Sequence, residues 1–297
     1  MLGFASLHNF RVLQKVPYWG VITTWRVLVF TFQKDNSQYI YHYTKSETAK
    51  DHILNDGTLK FSSFSKTNDP KETKSWFFIP GTNEGRNLDK YNPDLFSELL
   101  NSYFKEATQL LCFSKDGNLT GNHMEDNPQR GFCKPRMWAQ YGDNHAGLIF
   151  DFKRFSELFY KQFSETTYHC DNVDYQDRLL PDIQMDQAFI INVDHLEKRG
   201  EKDYVYDHLL KHKKRLYFEK AKDWENESEY RFVVFECKKE LYFAFKNSLR
   251  GILFGENCSD SDISKIVALT KNQGMEYQQL KWRNCTPWFD FGRTKWL

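Results

Sequence analysis

Trp224-Glu225-Asn226-Glu227-Ser228-Glu229-Tyr230-Arg231, running directly into Phe232-Val233-Val234-Phe235, sets two carboxylates two residues apart at the mouth of an apolar strand. Alternate residues of a strand share a face, so the spacing predicts that Glu227 and Glu229 point the same way. A carboxylate pair so placed can hold hydroxyl groups and steady a developing positive charge. The same residues also read as the polar, solvated start of an edge strand, because Glu-x-Glu is a short pattern that recurs by chance.

Working outward, Tyr39-Ile40-Tyr41-His42-Tyr43 alternates as a strand, and Thr44-Lys45-Ser46-Glu47 matches a capping box that opens a short helix to about Asn55. Gly57 closes that helix and Leu59-Lys60-Phe61 restarts a strand. Ser62 to Glu72, with Asn68-Asp69-Pro70, has the chemistry of a loop. Asn92-Pro93 opens a helix whose core stripe is predicted at Phe96, Leu99, Tyr103, Ala107 and Leu110. Leu110 to Ser114 reads as a buried strand, Asp116 to Gly131 as a long loop, Met137 to Gly142 as a helical turn and Gly147 to Phe152 as a strand. Gln184 to Phe218 has helical periodicity. Strands at Glu229–Glu236, Leu241–Phe245, Gly251–Phe254 and Glu276–Leu280, with a helix near Ser261–Val267, complete the chain. The sum is an α+β protein with a mixed, mostly antiparallel sheet and flanking helices. Residues 1–37 form a separate aromatic lead-in, a candidate partner-binding extension, and 38–297 a single domain.

The 297 residues carry a net charge of +1, which supplies no field strong enough to imply nucleic acid or an anionic membrane as partner. Six scattered cysteines without a Cys-x-x-Cys pair argue against a disulfide framework or a zinc ribbon, so a cytoplasmic location is expected. Val21 to Phe32 is apolar but interrupted by Arg26, short of the ~20 residues that span a bilayer. His123, Cys133, His145, His169 and Cys170 show no recognised ligand spacing, so no metal is expected.

In order along the chain, Tyr41-His42-Tyr43-Thr44, Asn68-Asp69-Pro70 with Glu72, Cys112-Phe113-Ser114, Met137-Trp138 with Tyr141, Gly147 to Phe152, and Trp224 with Glu227, Glu229, Tyr230 and Arg231 form a string. Over roughly residues 38–270 this string resembles a widespread bacterial family of unknown function. Its site-bearing parts also resemble the ADP-ribosyltransferase superfamily, which implies that superfamily's sheet and NAD as substrate. On that resemblance His42 would hold a ribose hydroxyl, with Tyr43 and Thr44 beside the nicotinamide. Tyr141 would stack on the nicotinamide ring, with Trp138 and Tyr43 as alternatives. Glu229 would bind the ribose 2′-hydroxyl and stabilise the oxocarbenium-like state, and Glu227 would orient or deprotonate the acceptor.

Lys211, Lys213, Lys214, Arg215, Lys220 and Lys222 lie just upstream of the carboxylates, where the superfamily places its substrate-recognition loop. With Tyr217 and Phe218 they would suit a single-stranded nucleic-acid acceptor, RNA or DNA, and a protein acceptor is the other option; the alternative reading of these cations is a solvated helix face. The resemblance implies a toxin or phage-defence effector, with an antitoxin or chaperone as a further partner. Two other functions fit the same residues: a non-catalytic sensor or nucleic-acid-binding module, and a metal-dependent nuclease using Asp69 and Glu72.

Overall fold

The computed structural model describes residues 38–284 and 286–289, so the lead-in at 1–37 lies outside the described residues. Eight strands form the main path of one sheet: β1 (Tyr39–Thr44), β2 (Gln109–Lys115), β3 (Ala146–Asp151), β4 (Tyr168–Asn172), β5 (Glu229–Val234), β6 (Leu249–Phe254), β7 (Glu276–Arg283) and β8 (Thr286–Phe289). Their order is β8-β7-β6-β3-β1-β2-β5-β4, and Ser62–Ser63 pairs with the start of β2. Within this sheet, among the described residues, only β6 and β7 run parallel, joined through α5 (Asp260–Thr270), and its other pairs are antiparallel. The other principal helices are α1 (Pro93–Asn101), α2 (Pro135–Tyr141), α3 (Phe152–Gln162) and α4 (Glu201–Tyr217). The chain is therefore an α+β fold with a mostly antiparallel sheet and helices on its flanks. Among the described residues no helix is long and apolar enough to cross a membrane.

Alternation along the strands sends apolar side chains to both faces. Ile40, Leu111, Phe113, Leu148, Phe150, Phe232 and Ile252 enter one cluster together with Phe155 and Phe159 of α3 and Ile263 and Ile266 of α5. The opposite face carries two clusters. Leu110 and Val233 pack with Phe104, Tyr217 and Phe218, whereas Tyr41, Tyr43, Ile149 and Leu253 pack with Trp138. A sheet buried on both faces requires such near-continuous apolar strands, and the aromatic composition fills the layers.

Several local expectations need correction. The capping box does not form: Thr44 remains in β1, Lys45 is the helix N-cap without a side-chain cap bond, and Ser46 Oγ instead donates to Asp262 Oδ2 at 3.0 Å. Gly57 does close the helical stretch, in the left-handed conformation at φ 65°. On α1 and the turns after it the buried stripe is Phe96, Leu100 and Phe104, while Leu99 is exposed. Two overlapping stripes were available, and the one without the Tyr103 hydroxyl went inside. The periodic stretch 184–218 is divided at Gly200, whose φ of 83° no ordinary helix accommodates, and a short strand, Ile190–Asn192, interrupts it further.

Phe155 touches the rings of Phe113, Phe150, Phe232 and Phe243 with centroids 4.9, 5.3, 5.0 and 4.5 Å away. Phe155→Ala should cost about 3–5 kcal/mol of folding stability, read as a lower denaturant midpoint with an unchanged slope. A loss below about 1 kcal/mol would show that the layer between α3 and the sheet is not closely packed.

Candidate functional site

Register fixes which residues can meet. Tyr41 of β1 lies opposite Ser114 of β2, and Ser114 lies opposite Glu229 of β5. Directly opposed residues share a face, so Tyr41, Ser114 and Glu229 are on one side and His42 is on the other. His42 packs against Phe113 with centroids 5.8 Å apart and hydrogen-bonds to the Cys112 backbone. Burial pushes its pKa down to about 4 despite that bond, so the ring is neutral near pH 7. The structure thus does not bring His42 together with Glu229.

Glu227 and Glu229 meet, but not as neighbours on one strand. Glu227 ends a 3-10 helix, Lys222–Glu227, and Ser228 takes the left-handed conformation (φ 46°, ψ 52°) before β5 begins at Glu229. The reversal turns both carboxylates onto Lys220, whose ammonium lies 2.8 Å from Glu227 Oε2 and 2.8 Å from Glu229 Oε2. Lys220 reaches them because Glu219–Lys220 pairs in parallel with Asp174–Tyr175, which sets Lys220 beside Tyr175. Tyr175 Oη accepts from the Glu229 backbone N–H at 2.8 Å, and Tyr141 Oη donates to Glu227 Oε1 at 2.8 Å. Ser114 Oγ donates to the Glu227 carbonyl.

Arg231 completes the network from below. Two residues beyond Glu229 on the same strand, it shares that face and binds the carboxylate in a fork, Nε to Oε1 at 2.8 Å and Nη2 to Oε2 at 3.1 Å. Its Nη1 donates to the Tyr217 carbonyl at 2.6 Å, and Nη2 lies 2.5 Å from Glu72 Oε1. Three carboxylates and two cations are therefore buried together. Burial alone would raise the pKa of Glu229, but the Arg231 guanidinium and the Lys220 ammonium override it and hold the carboxyl well below the usual range. Burial works to discharge Lys220, and the neighbouring carboxylates, Glu229 first, keep it charged. Desolvation, with Glu227 assisting, raises Tyr141 and keeps its phenol protonated. Trp224 lies outside this group, with the Arg136 guanidinium 4.3 Å and the Lys220 ammonium 5.0 Å from its ring centre.

Apart from its place in the motif string, Glu72 had a sequence role only in the nuclease reading, and the structure places it in the network. Asp69 caps the turn Pro70–Thr73 by accepting from the Lys71 N–H at 2.9 Å, and that turn carries Glu72 inward. Arg231 entered the sequence reading only as part of the motif string, although an i+2 neighbour on a strand shares a face and could have marked it as a partner of Glu229. Lys220 was legible only as one cation in a basic run.

The other predicted contacts are dispersed. Trp138 is fully buried, donating from Nε1 to the Phe132 carbonyl at 2.8 Å, and Tyr43 packs edge-on against it and donates to the Gly131 carbonyl. Thr44 is buried on the His42 face. The basic run is divided as well: Lys214 pairs with Asp171 at 3.1 Å, Arg215 with Asp186 and Glu219, and Lys220 is interior, leaving Lys211 and Lys222 exposed and Lys213 half-buried. Among the described residues no group of three or more His, Cys, Asp or Glu is arranged to hold a metal ion.

Residues 137–232, which contain Tyr141, Lys220, Glu227, Glu229 and Arg231, match the profile of a protein family of unknown function, DUF2971. Neither a curated protein nor a solved structure matches the chain.

Arg231→Met should destabilise the fold by about 3–5 kcal/mol, because it strands two buried carboxylates, and adding Glu229→Gln should restore part of the loss. Additive effects in that cycle would show that the pair is not coupled. The depressed Glu229 pKa also sets an acid dependence. Its stabilisation is complete above the unfolded carboxylate value of about 4.3 and is lost as pH falls toward the folded value. Urea unfolding followed from neutral pH to about pH 3 should therefore show a steeper loss in the wild type than in Glu229→Gln; parallel curves would contradict it.

Proposed function

We propose that the chain is an ADP-ribosyltransferase-like enzyme that takes NAD as substrate and modifies a nucleic acid or a protein, acting as a bacterial toxin or defence effector. The observation that carries this reading is the convergence of Tyr141, Glu227 and Glu229 on the single Lys220 ammonium and its immediate neighbours. The Glu229 carboxylate, held ionised, is the group suited to stabilise an oxocarbenium-like centre as nicotinamide leaves. Glu227, bonded to both Lys220 and Tyr141, would orient the acceptor. His42 has no place in this version of the site, since it occupies the other face of the sheet. Glu229 is only 5 % exposed, so catalysis would also require the residues packed over it to move. The effector role and an antitoxin or chaperone partner rest on the sequence resemblance alone.

A specific observation favours a second reading, a non-catalytic sensor or binding module. Glu229 is balanced by a forked Arg231 and by Lys220, an arrangement that also serves simply to hold a strand, a turn and a helix end together.

Purified protein incubated with adenylate-labelled NAD and bacterial RNA, DNA or lysate protein distinguishes them. The transferase reading expects label on one acceptor class, reduced by about 100-fold or more in Glu229→Gln. Tyr141→Phe, which keeps the charges, should fold normally and still impair transfer. Neither label transfer nor nicotinamide release by folded wild type would leave the binding module standing.

A further inference from the structure

Backbone hydrogen bonds at the two ends of β4 fix which of its amides face the rest of the sheet. Val173 N–H donates to the Glu229 carbonyl and Phe235 N–H to the Thr167 carbonyl, each at 2.9 Å. Between those pairs an antiparallel ladder alternates, so His169 and Asp171 also turn their backbone groups toward β5. Tyr168, Cys170 and Asn172 therefore direct theirs away from the sheet. Among the described residues β4 pairs with β5 alone. The outward Asn172 N–H is met by Asp171 Oδ1 at 2.9 Å, whereas the Tyr168 and Cys170 N–H groups have no partner among the described residues.

One face beside this edge is apolar. Tyr168 and Cys170 pack onto the layer that holds Phe159 and Phe232. Tyr160 of α3, 42 % exposed, stacks on Tyr168 with centroids 5.7 Å apart and planes at 22°. Open amides beside exposed aromatic surface invite a further strand, and natural sheets cover or charge such edges.

The chain that precedes β1 is of the right kind and within reach. Val27-Leu28-Val29-Phe30-Thr31-Phe32, outside the described residues, is β-branched or aromatic apart from Leu28 and carries no charge, Gly or Pro. The start of β1 lies at the same end of the sheet as the end of β4, because Ile40 faces Lys115, Ser114 faces Glu229 and Tyr230 faces Asn172. A strand outside β4 would lie four spacings from β1, about 19 Å. The polar link from Phe32 to Tyr39 extends to about 23 Å at ~3.3 Å per residue. The opposite edge, outside β8, is five spacings away, about 24 Å.

We propose that residues 27–32 add to the edge of β4 as a further strand, parallel to it. The parallel sense follows from the link, which must leave the segment at the Asn172 end. The outward N–H groups of Tyr168 and Cys170 then donate to carbonyls of the segment, and one alternate set, Leu28, Phe30 and Phe32, covers the Tyr160 and Tyr168 rings. β4 is the outer neighbour of β5, which carries Glu229 and Arg231, so the added strand shields that flank of the carboxylate network whether or not the chain transfers ADP-ribose.

The test is residue-resolved amide hydrogen exchange on the full chain, with His169 and Asp171, bonded to β5, as internal references. Tyr168 and Cys170 should exchange at least about 100-fold more slowly than in a free peptide, at a rate independent of protein concentration. Exchange of both at the free-peptide rate would overturn the proposal, and that reading stands whether or not a variant folds. Leu28→Pro and Val29→Pro, made separately, supply the variants. Neighbouring residues of a strand aim their N–H groups to opposite sides, so one of the two must remove a ladder bond. That variant should lose at least about tenfold of the protection at Tyr168 and Cys170 and leave the references unchanged. Protection that survives both variants, or that rises with protein concentration as pairing with a second copy would, overturns the proposal equally.

Discussion

The guanidinium of Arg231, buried on the central strand β5, constrains everything around it. Arginine does not shed its proton under conditions a protein survives, so its charge must be met where it lies. Glu229 meets it from the same strand, Glu72 from a one-turn helix nearly 160 residues earlier, and the Tyr217 carbonyl from the end of α4. Separate parts of the chain are thereby tied to one planar group. Satisfying its donors specifies their positions more narrowly than apolar packing would, since a fork admits few orientations. Lys220 then balances Glu229 and Glu227 from the outer side.

This polar assembly occupies a seam. On one face of the sheet an unbroken aromatic layer runs from Ile40 to Ile252. On the other, a cluster around Tyr217 and one around Trp138 are separated, and Ser114, Glu229 and Arg231 lie where they adjoin. A carboxylate at the boundary of two apolar clusters experiences a weaker solvent than at the surface, so its ion pairs are stronger and its unmet hydrogen bonds more costly. That setting makes an ionised Glu229 a group with consequence whichever functional reading holds.

Much of the framework was legible in local pattern. Period-two alternation located β1, and short apolar runs located β2, β3, β5 and β6; Asn92 and Gly57 marked helix ends through side-chain capping and a left-handed turn. Where local pattern misled, a competing arrangement was equally consistent with the residues. Ser228 reads as an ordinary strand residue, yet its left-handed turn takes Glu227 off the strand. His42 reads as the partner of a distant glutamate, yet the register carried through the one intervening strand, β2, sets it on the opposite face. The basic run reads as one surface, yet Lys214, Arg215 and Lys220 each turn to different carboxylates.

The sequence by itself determined the α+β class and the positions of most sheet strands, because each depends on residues within a few positions of one another. Tertiary structure alone decided that Glu72 and Lys220 join Glu229 and Arg231, that His42 does not, and that the β4 edge is open among the described residues. Those outcomes depend on strand order, register and the burial of charge, which no window of neighbouring residues contains.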